Sequence, residues 1–455
     1  MEIALLSLVL LLALFVILSA CRPIKIDYTT AVPTGSLPAS SQFDRDEALA
    51  MLELCVDLDS QDDRTSKTPR NIYNLRMDRL ADWDYLVDSR VLVANHKGLM
   101  GADRLNPAMN GYDPFDSAWT LWKRKTAGKN GASVYAVAFR GTVFAAKPSV
   151  VEDTLATTIA ARRGLKIARG SFLPITFASL PRAEVHEGFA YAAFGQLFDR
   201  EFGLLPHIEK LIGPGSTLII TGHSQGAGLA TLTHAFFHYA ALEKRFGLGE
   251  KNLALRSYAF AQPKPGNMQF AMDFAGITGA GATSFVLNNS LDPVPMFPTT
   301  HSFSVGALQD TPQGGDSTLN RFVVGLRGVN DGLNRVSAFF SRWLQDKSAK
   351  RIAQIQRQDH DGYWHSSELR AASDRHFTRA YSQYYTTAGN VVPLQGIYMA
   401  KDYYGDPRDA TDEFVQHHAS TYRRLLEILF GLAPTTESSS ELAPPPSDQS
   451  ARNTL

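Results

Sequence analysis

Cysteine is nearly absent, with Cys21 and Cys55 the only two in a chain of 455 residues. No Cys/His spacing resembles a zinc site, and nothing supports a disulfide scaffold. Net charge is absent as well, since 45 Lys and Arg stand against 45 Asp and Glu. A nucleic-acid binder would carry a basic face, and this balance provides none. Beyond one apolar run at the start there is no second long hydrophobic stretch, which excludes a series of membrane spans. Repeats of fixed period, charge blocks and long internal linkers are missing too. What is present is a 44% apolar composition, enough for a sizeable core and incompatible with global disorder.

The apolar run covers residues 3–20 and ends in Leu18-Ser19-Ala20-Cys21, with Arg22 and Pro23 directly after it. Its length suits the hydrophobic region of a signal peptide and is near the minimum for a membrane helix. The small-small-Cys ending resembles the lipobox of bacterial lipoproteins. That resemblance implies cleavage before Cys21, lipid on Cys21, and membrane attachment in a bacterial cell envelope. An uncleaved N-terminal membrane anchor is the alternative, and no Lys or Arg precedes the run as leaders usually require. With lipid on Cys21, Cys55 has no partner; a Cys21–Cys55 bridge would tie a leader junction to a helix.

Composition divides the rest. Residues 21–41 are rich in Pro, Ser and Thr and read as a tether, and residues 434–455 as a disordered tail. Between them, residues 42–433 read as one α/β domain. Apolar spacing predicts helices over residues 47–56, 189–212 and 227–246. Short apolar, β-branched runs predict strands over 134–139, 217–221, 256–261, 284–287 and 391–399. This alternation argues for a mainly parallel central sheet with helices on both faces. Residues 318–380 read as a helical insertion, and 300–306 as a further strand.

The most informative segment is Thr221-Gly222-His223-Ser224-Gln225-Gly226-Ala227. It joins the apolar strand Leu218, Ile219, Ile220 to a helix rich in small residues. A G-x-S-x-G elbow needs this context, because the serine must sit on a sharp strand-to-helix turn that lifts its hydroxyl above the sheet edge. Four other segments appear in order over residues 134–298. They are Val137-Ala138-Phe139-Arg140-Gly141-Thr142, Val185-His186-Glu187-Gly188-Phe189, the run from Tyr258 to Asn267, and Asn288-Asn289-Ser290-Leu291-Asp292-Pro293-Val294-Pro295. Together the five resemble the class 3, fungal-lipase-like family of the α/β-hydrolase fold. Two positions depart from its pattern: Gln225 stands where many members have Leu, and Ala261 where Gly is usual.

The resemblance implies a Ser-His-Asp triad with an acyl-enzyme intermediate, Ser224 being the nucleophile and Asp292 the carboxylate that orients the histidine. Chain order places the histidine after Asp292. His301 lies too close, and His360, His365 and His376 fall in or near the helical insertion, although His376 with Tyr381 imitates the family's His-x4-Tyr. One of the pair His417 and His418 is expected to be the histidine, with His417 favoured because Tyr422 follows at that spacing. His223 is expected to serve packing and His186 to order a loop.

Thr142 and the N–H of Gln225 are the expected oxyanion hole. Residues 143–169 occupy the place of the family's lid and mix apolar with basic side chains, which suits either a flap or an ordinary surface helix. No metal or cofactor is implied. The expected substrate is a lipid ester. A phospholipase, a small-ester or polyester esterase, or a non-catalytic envelope lipoprotein would keep most of these features.

Overall fold

A computed structural model describes residues 43–60, 76–95, 118–128, 131–142, 158–162, 165–168, 171–173, 175–198, 202–279, 282–298, 385–397 and 415–432. The expected leader with Cys21, the tether, the helical insertion, the 300–306 strand and the tail lie outside these residues. So do His301, His360, His365 and His376.

The strands of the central sheet are β1 (Trp83–Asp88), β2 (Trp119–Arg124), β3 (Val134–Phe139), β8 (Thr217–His223), β9 (Ala254–Phe260), β11 (Ser284–Asn289) and β13 (Asn390–Leu394). They lie in the order β1-β2-β3-β8-β9-β11-β13. From β3 to β13 every pairing is parallel, and β1 and β2 extend the sheet antiparallel. A smaller sheet joins β4 (Thr158–Ala160), β7 (Glu184–His186), β10 (Gly266–Asn267) and β12 (Tyr385–Thr386), while β5 (Leu165–Ala168) and β6 (Ser171–Leu173) form a separate pair. The helices are α1 (Arg45–Ser60), α2 (Ser89–Asn95), α3 (Glu187–Phe198), α4 (Leu204–Leu211), α5 (Gln225–Leu242), a single turn α6 (Leu248–Lys251), α7 (Met268–Ile277) and α8 (Ala419–Leu429).

Strand periodicity divides the core in two. On β3, Tyr135, Val137 and Phe139 join a cluster with Ala190, Phe194, Leu229, Phe236 and Phe270, which covers one face with α3, α5 and α7. The alternate residues Val134, Ala136 and Ala138 join Met51, Leu54, Cys55, Tyr422 and Leu426 on the other face, under α1 and α8. Helices therefore cover both faces of a mainly parallel sheet, which is the α/β-hydrolase arrangement. Pro393 cannot donate to a ladder, and it is accommodated because β13 is an edge strand.

Three expected elements differ from the structure. The single helix over 189–212 is two helices, because Gly203 is extended (φ −73°, ψ 154°) at the start of α4. Pro206 then falls in the first turn of α4, where a missing N–H is tolerated. The strand over 391–399 ends at Leu394, and Tyr398 and Met399 lie outside the described residues. The described part of 143–169 is strand rather than helix: β4 pairs with β7 and β5 with β6.

Polar side chains join the layers. Glu53, fully buried on α1, meets Arg423 of α8 at 2.6 Å and Arg79 at 3.3 Å, and Arg79 also reaches Glu427 at 2.7 Å. His234 on α5 shares a 2.9 Å hydrogen bond with Ser257 of β9, whose hydroxyl donates to Ser284 of β11 at 2.8 Å.

Burial holds both His186 and His234 neutral, pushing each from 6.5 down to about 3. The unfolded chain takes up protons near 6.5 while the folded chain does not. Stability from these two rings is therefore complete above that pH and is lost as pH falls toward 3, at roughly 1.4 kcal/mol per pH unit for each ring at most. Urea midpoints should fall steadily between pH 7 and pH 4.5. His234→Gln should flatten that slope, and an unchanged slope would contradict the assignment.

Candidate active site

β8 is buried between β3 and β9, with Leu218, Ile219 and Ile220 fully buried. It ends at His223, and α5 begins at Gln225, so Ser224 alone makes the turn from strand to helix. Its backbone sits at φ 58° and ψ −131°, a strained conformation for a residue with a side chain. Its N–H donates to the Phe260 carbonyl at 2.9 Å. The two flanking glycines are required by close approach. A Cβ on Gly222 would lie 2.1 Å from the Gly226 carbonyl oxygen, and one on Gly226 would lie 2.2 Å from the Phe139 carbonyl oxygen.

Asp292 follows the end of β11 and is buried. Its N–H donates to the Asn289 carbonyl at 3.1 Å, and its Oδ1 accepts the Val294 N–H at 2.9 Å. His417 closes a short 3-10 turn, Val415–His417, immediately before α8. Its Nδ1 lies 2.8 Å from Asp292 Oδ2, and its Nε2 lies 2.9 Å from Ser224 Oγ. A carboxylate only accepts, so Nδ1 carries the proton, Nε2 is the acceptor and the serine hydroxyl donates to it.

Tyr422 completes the carboxylate's surroundings. Its hydroxyl donates to Asp292 Oδ2 at 2.6 Å and accepts the Asn289 N–H at 3.1 Å. Burial, and then the charge of Asp292, push this hydroxyl well above its ordinary pKa, so it keeps its proton and remains a donor.

The structure separates the histidine pair. His417 faces both Ser224 and Asp292, whereas His418 takes the N-cap position of α8, where its carbonyl accepts the N–H groups of Thr421 and Tyr422. The ring of His223 packs 4.8 Å from that of His417 and edge-on to Tyr422 at 5.5 Å. Burial, and then the nearby His417, drive it well below its ordinary pKa, so it stays neutral. His186 accepts the Phe189 N–H at the start of α3 and stacks on the Phe189 ring.

Gln225 is buried in the first turn of α5, where N–H groups aim outward along the helix axis. Thr142 follows Gly141, and a Cβ on Gly141 would lie 3.4 Å from Ser224 Cβ and 3.0 Å from the His223 carbonyl oxygen. The end of β3 thus runs directly against the elbow. Ala261 has φ 53°, a left-handed value that costs a non-glycine residue roughly 1–2 kcal/mol and accounts for the preference for Gly in the pattern it departs from. Among the described residues no His, Cys, Asp and Glu group is arranged to hold a metal ion. Asn289, Gln416 and the donor role of Tyr422 were not singled out by the sequence. Asn289 and Gln416 show only as polar residues beside Asp292 and His417, and Tyr422 only by its spacing from His417.

Residues 136–302 match the family model described as Lipase (class 3). No curated protein matches the chain. Among solved structures, the chain is similar to M37 lipase at 14% identity, covering 85% of this chain and 96% of that one, with a TM-score of 0.40. It is also similar to the mono- and diacylglycerol lipase from Aspergillus oryzae at 18% identity, covering 56% and 74%, with a TM-score of 0.34. A lipase–propeptide complex from Rhizomucor miehei matches at 15% identity over 59% and 75%, with a TM-score of 0.32.

Proposed function

We propose that this chain is a serine carboxylic-ester hydrolase that acts on lipid esters. The observation that carries the reading is the hydrogen-bonded series Ser224–His417–Asp292, built on a strand-to-helix elbow within the segment that matches the class 3 lipase model. Ser224 attacks the ester carbonyl while His417 Nε2 takes its proton. Asp292 holds the imidazole in the required tautomer and stabilises the imidazolium, with Tyr422 sharing the carboxylate's charge. The N–H of Gln225 and Thr142 receive the developing oxyanion. His417 then delivers the proton to the leaving alcohol. Water attacks the acyl-enzyme by the same route, releasing the acid and restoring Ser224. No step calls for a metal or cofactor.

Truncating a triad member should lower ester hydrolysis by about 10⁴-fold or more. Ser224→Ala and His417→Ala should both show this loss with p-nitrophenyl and triacylglycerol esters, and both should keep their thermal transition. His418→Ala should stay within a few-fold of the parent. Wild-type turnover in Ser224→Ala would contradict the reading.

Attachment to a membrane through lipid on Cys21 belongs to the same proposal and rests on the Leu18-Ser19-Ala20-Cys21 ending. It would hold the site beside acyl esters in a bilayer of the cell envelope, with residues 21–41 as the tether. The mature protein should partition into detergent, and Cys21→Ser should abolish that partition, because thioether formation needs the sulfur. Mass spectrometry finding residues 1–20 intact on membrane-bound protein would contradict lipidation and favour an uncleaved anchor.

A further inference from the structure

We propose that Asn289 is a positioning residue, the side chain that fixes the His417 turn against the Asp292 loop; the inference rests on the ester-hydrolase reading above. Asn289 is the last residue of β11 and is buried. Two of its groups hold the aspartate side: its carbonyl accepts the Asp292 N–H at 3.1 Å, and its Oδ1 accepts the Leu291 N–H at 3.1 Å. Its Nδ2 holds the histidine side, donating to the Gln416 backbone carbonyl at 2.8 Å and to Gln416 Oε1 at 2.9 Å. Gln416 is the residue directly before His417. The Asn289 N–H meets the Tyr422 hydroxyl, which donates to Asp292. One residue thus links both loops and the tyrosine between them.

The arrangement leaves little freedom. Gln416 is tied at its far end, since its Nε2 donates to the Ile397 carbonyl at 3.1 Å. Oδ1 of Asn289 is hemmed in by the β13 side, where a Cβ on Gly396 would lie 2.4 Å from it. An amide suits the place because it offers two donors toward Gln416 and an acceptor toward Leu291. A carboxylate there would face the Gln416 oxygens with no proton to give. Sliding the His417 turn means breaking buried hydrogen bonds, and leaving such groups unpaired is costly. His417 reaches Ser224 and Asp292 across distances that tolerate little displacement, and a 1 Å error in such a site costs up to about a hundredfold in rate.

The test uses the full-length protein, p-nitrophenyl butyrate as substrate, and a fluorophosphonate to count reactive serines. For Asn289→Ala, kcat per titrated site should fall about 10- to 100-fold with KM within about twofold of the parent. Gln416→Ala keeps the backbone acceptor and should fall less; it carries the test if Asn289→Ala does not fold. Asn289→Asp keeps the shape but loses both Nδ2 donors toward Gln416, and should fall about as far as Asn289→Ala in kcat per titrated site. A purely structural role would lower the melting temperature and the number of titrated sites but leave kcat per site unchanged. That result would overturn the inference. If Ser224→Ala is inactive while the Asn289 and Gln416 variants match the parent per site, the inference alone fails. If Ser224→Ala retains activity, both it and the ester-hydrolase reading fail.

Discussion

The site depends on one strained peptide turn. Ser224 holds φ 58° and ψ −131°, a conformation that costs about 1–3 kcal/mol. It persists because both flanks are fixed. β8 is locked between two parallel neighbours, and α5 is pressed so closely on the strand ends that no Cβ fits at Gly222 or Gly226. Relaxing the turn would mean withdrawing a buried helix from a buried sheet. The turn therefore keeps the serine hydroxyl above the sheet edge whether or not anything is bound.

The other two members reach that edge from far along the chain. His417 lies 193 residues from Ser224 and 125 from Asp292. Parallel strands bring their carboxyl ends to one edge, which places the loop after β11 beside the elbow at the end of β8. The histidine turn is then held from two sides. Glu53 binds Arg423 and fastens α8 to α1, and Asn289 and Tyr422 fasten the start of α8 to the Asp292 loop. Burying an ion pair such as Glu53–Arg423 adds little net stability, yet removing one partner is costly. That asymmetry suits a contact whose effect is to fix geometry.

The local elements were legible in the sequence. β8 and α5 announce themselves by an apolar run that gives way to small residues at Gly226, and Tyr422 pointed to His417 within the histidine pair. Less legible were elements too short to show a period, such as the three-residue β7 and the two-residue β10 and β12. β1 and β2 are less legible too, and β1 follows no clean alternation of burial, since its middle residues are exposed in succession. The break at Gly203 was hidden because apolar residues continue across it at helical spacing. Asn289 shows only as a polar residue in the run before Asp292, because its significance lies in contacts with Gln416 and Tyr422, more than 120 residues away.

The proposed chemistry stands or falls with Ser224 as a nucleophile activated by His417. The most direct measurement is to treat the full-length protein with a fluorophosphonate and map the adduct by peptide mass spectrometry. A stoichiometric adduct on Ser224 should form rapidly in the parent and be nearly abolished in His417→Ala. An adduct on another residue, or equal labelling of Ser224 without His417, would contradict it.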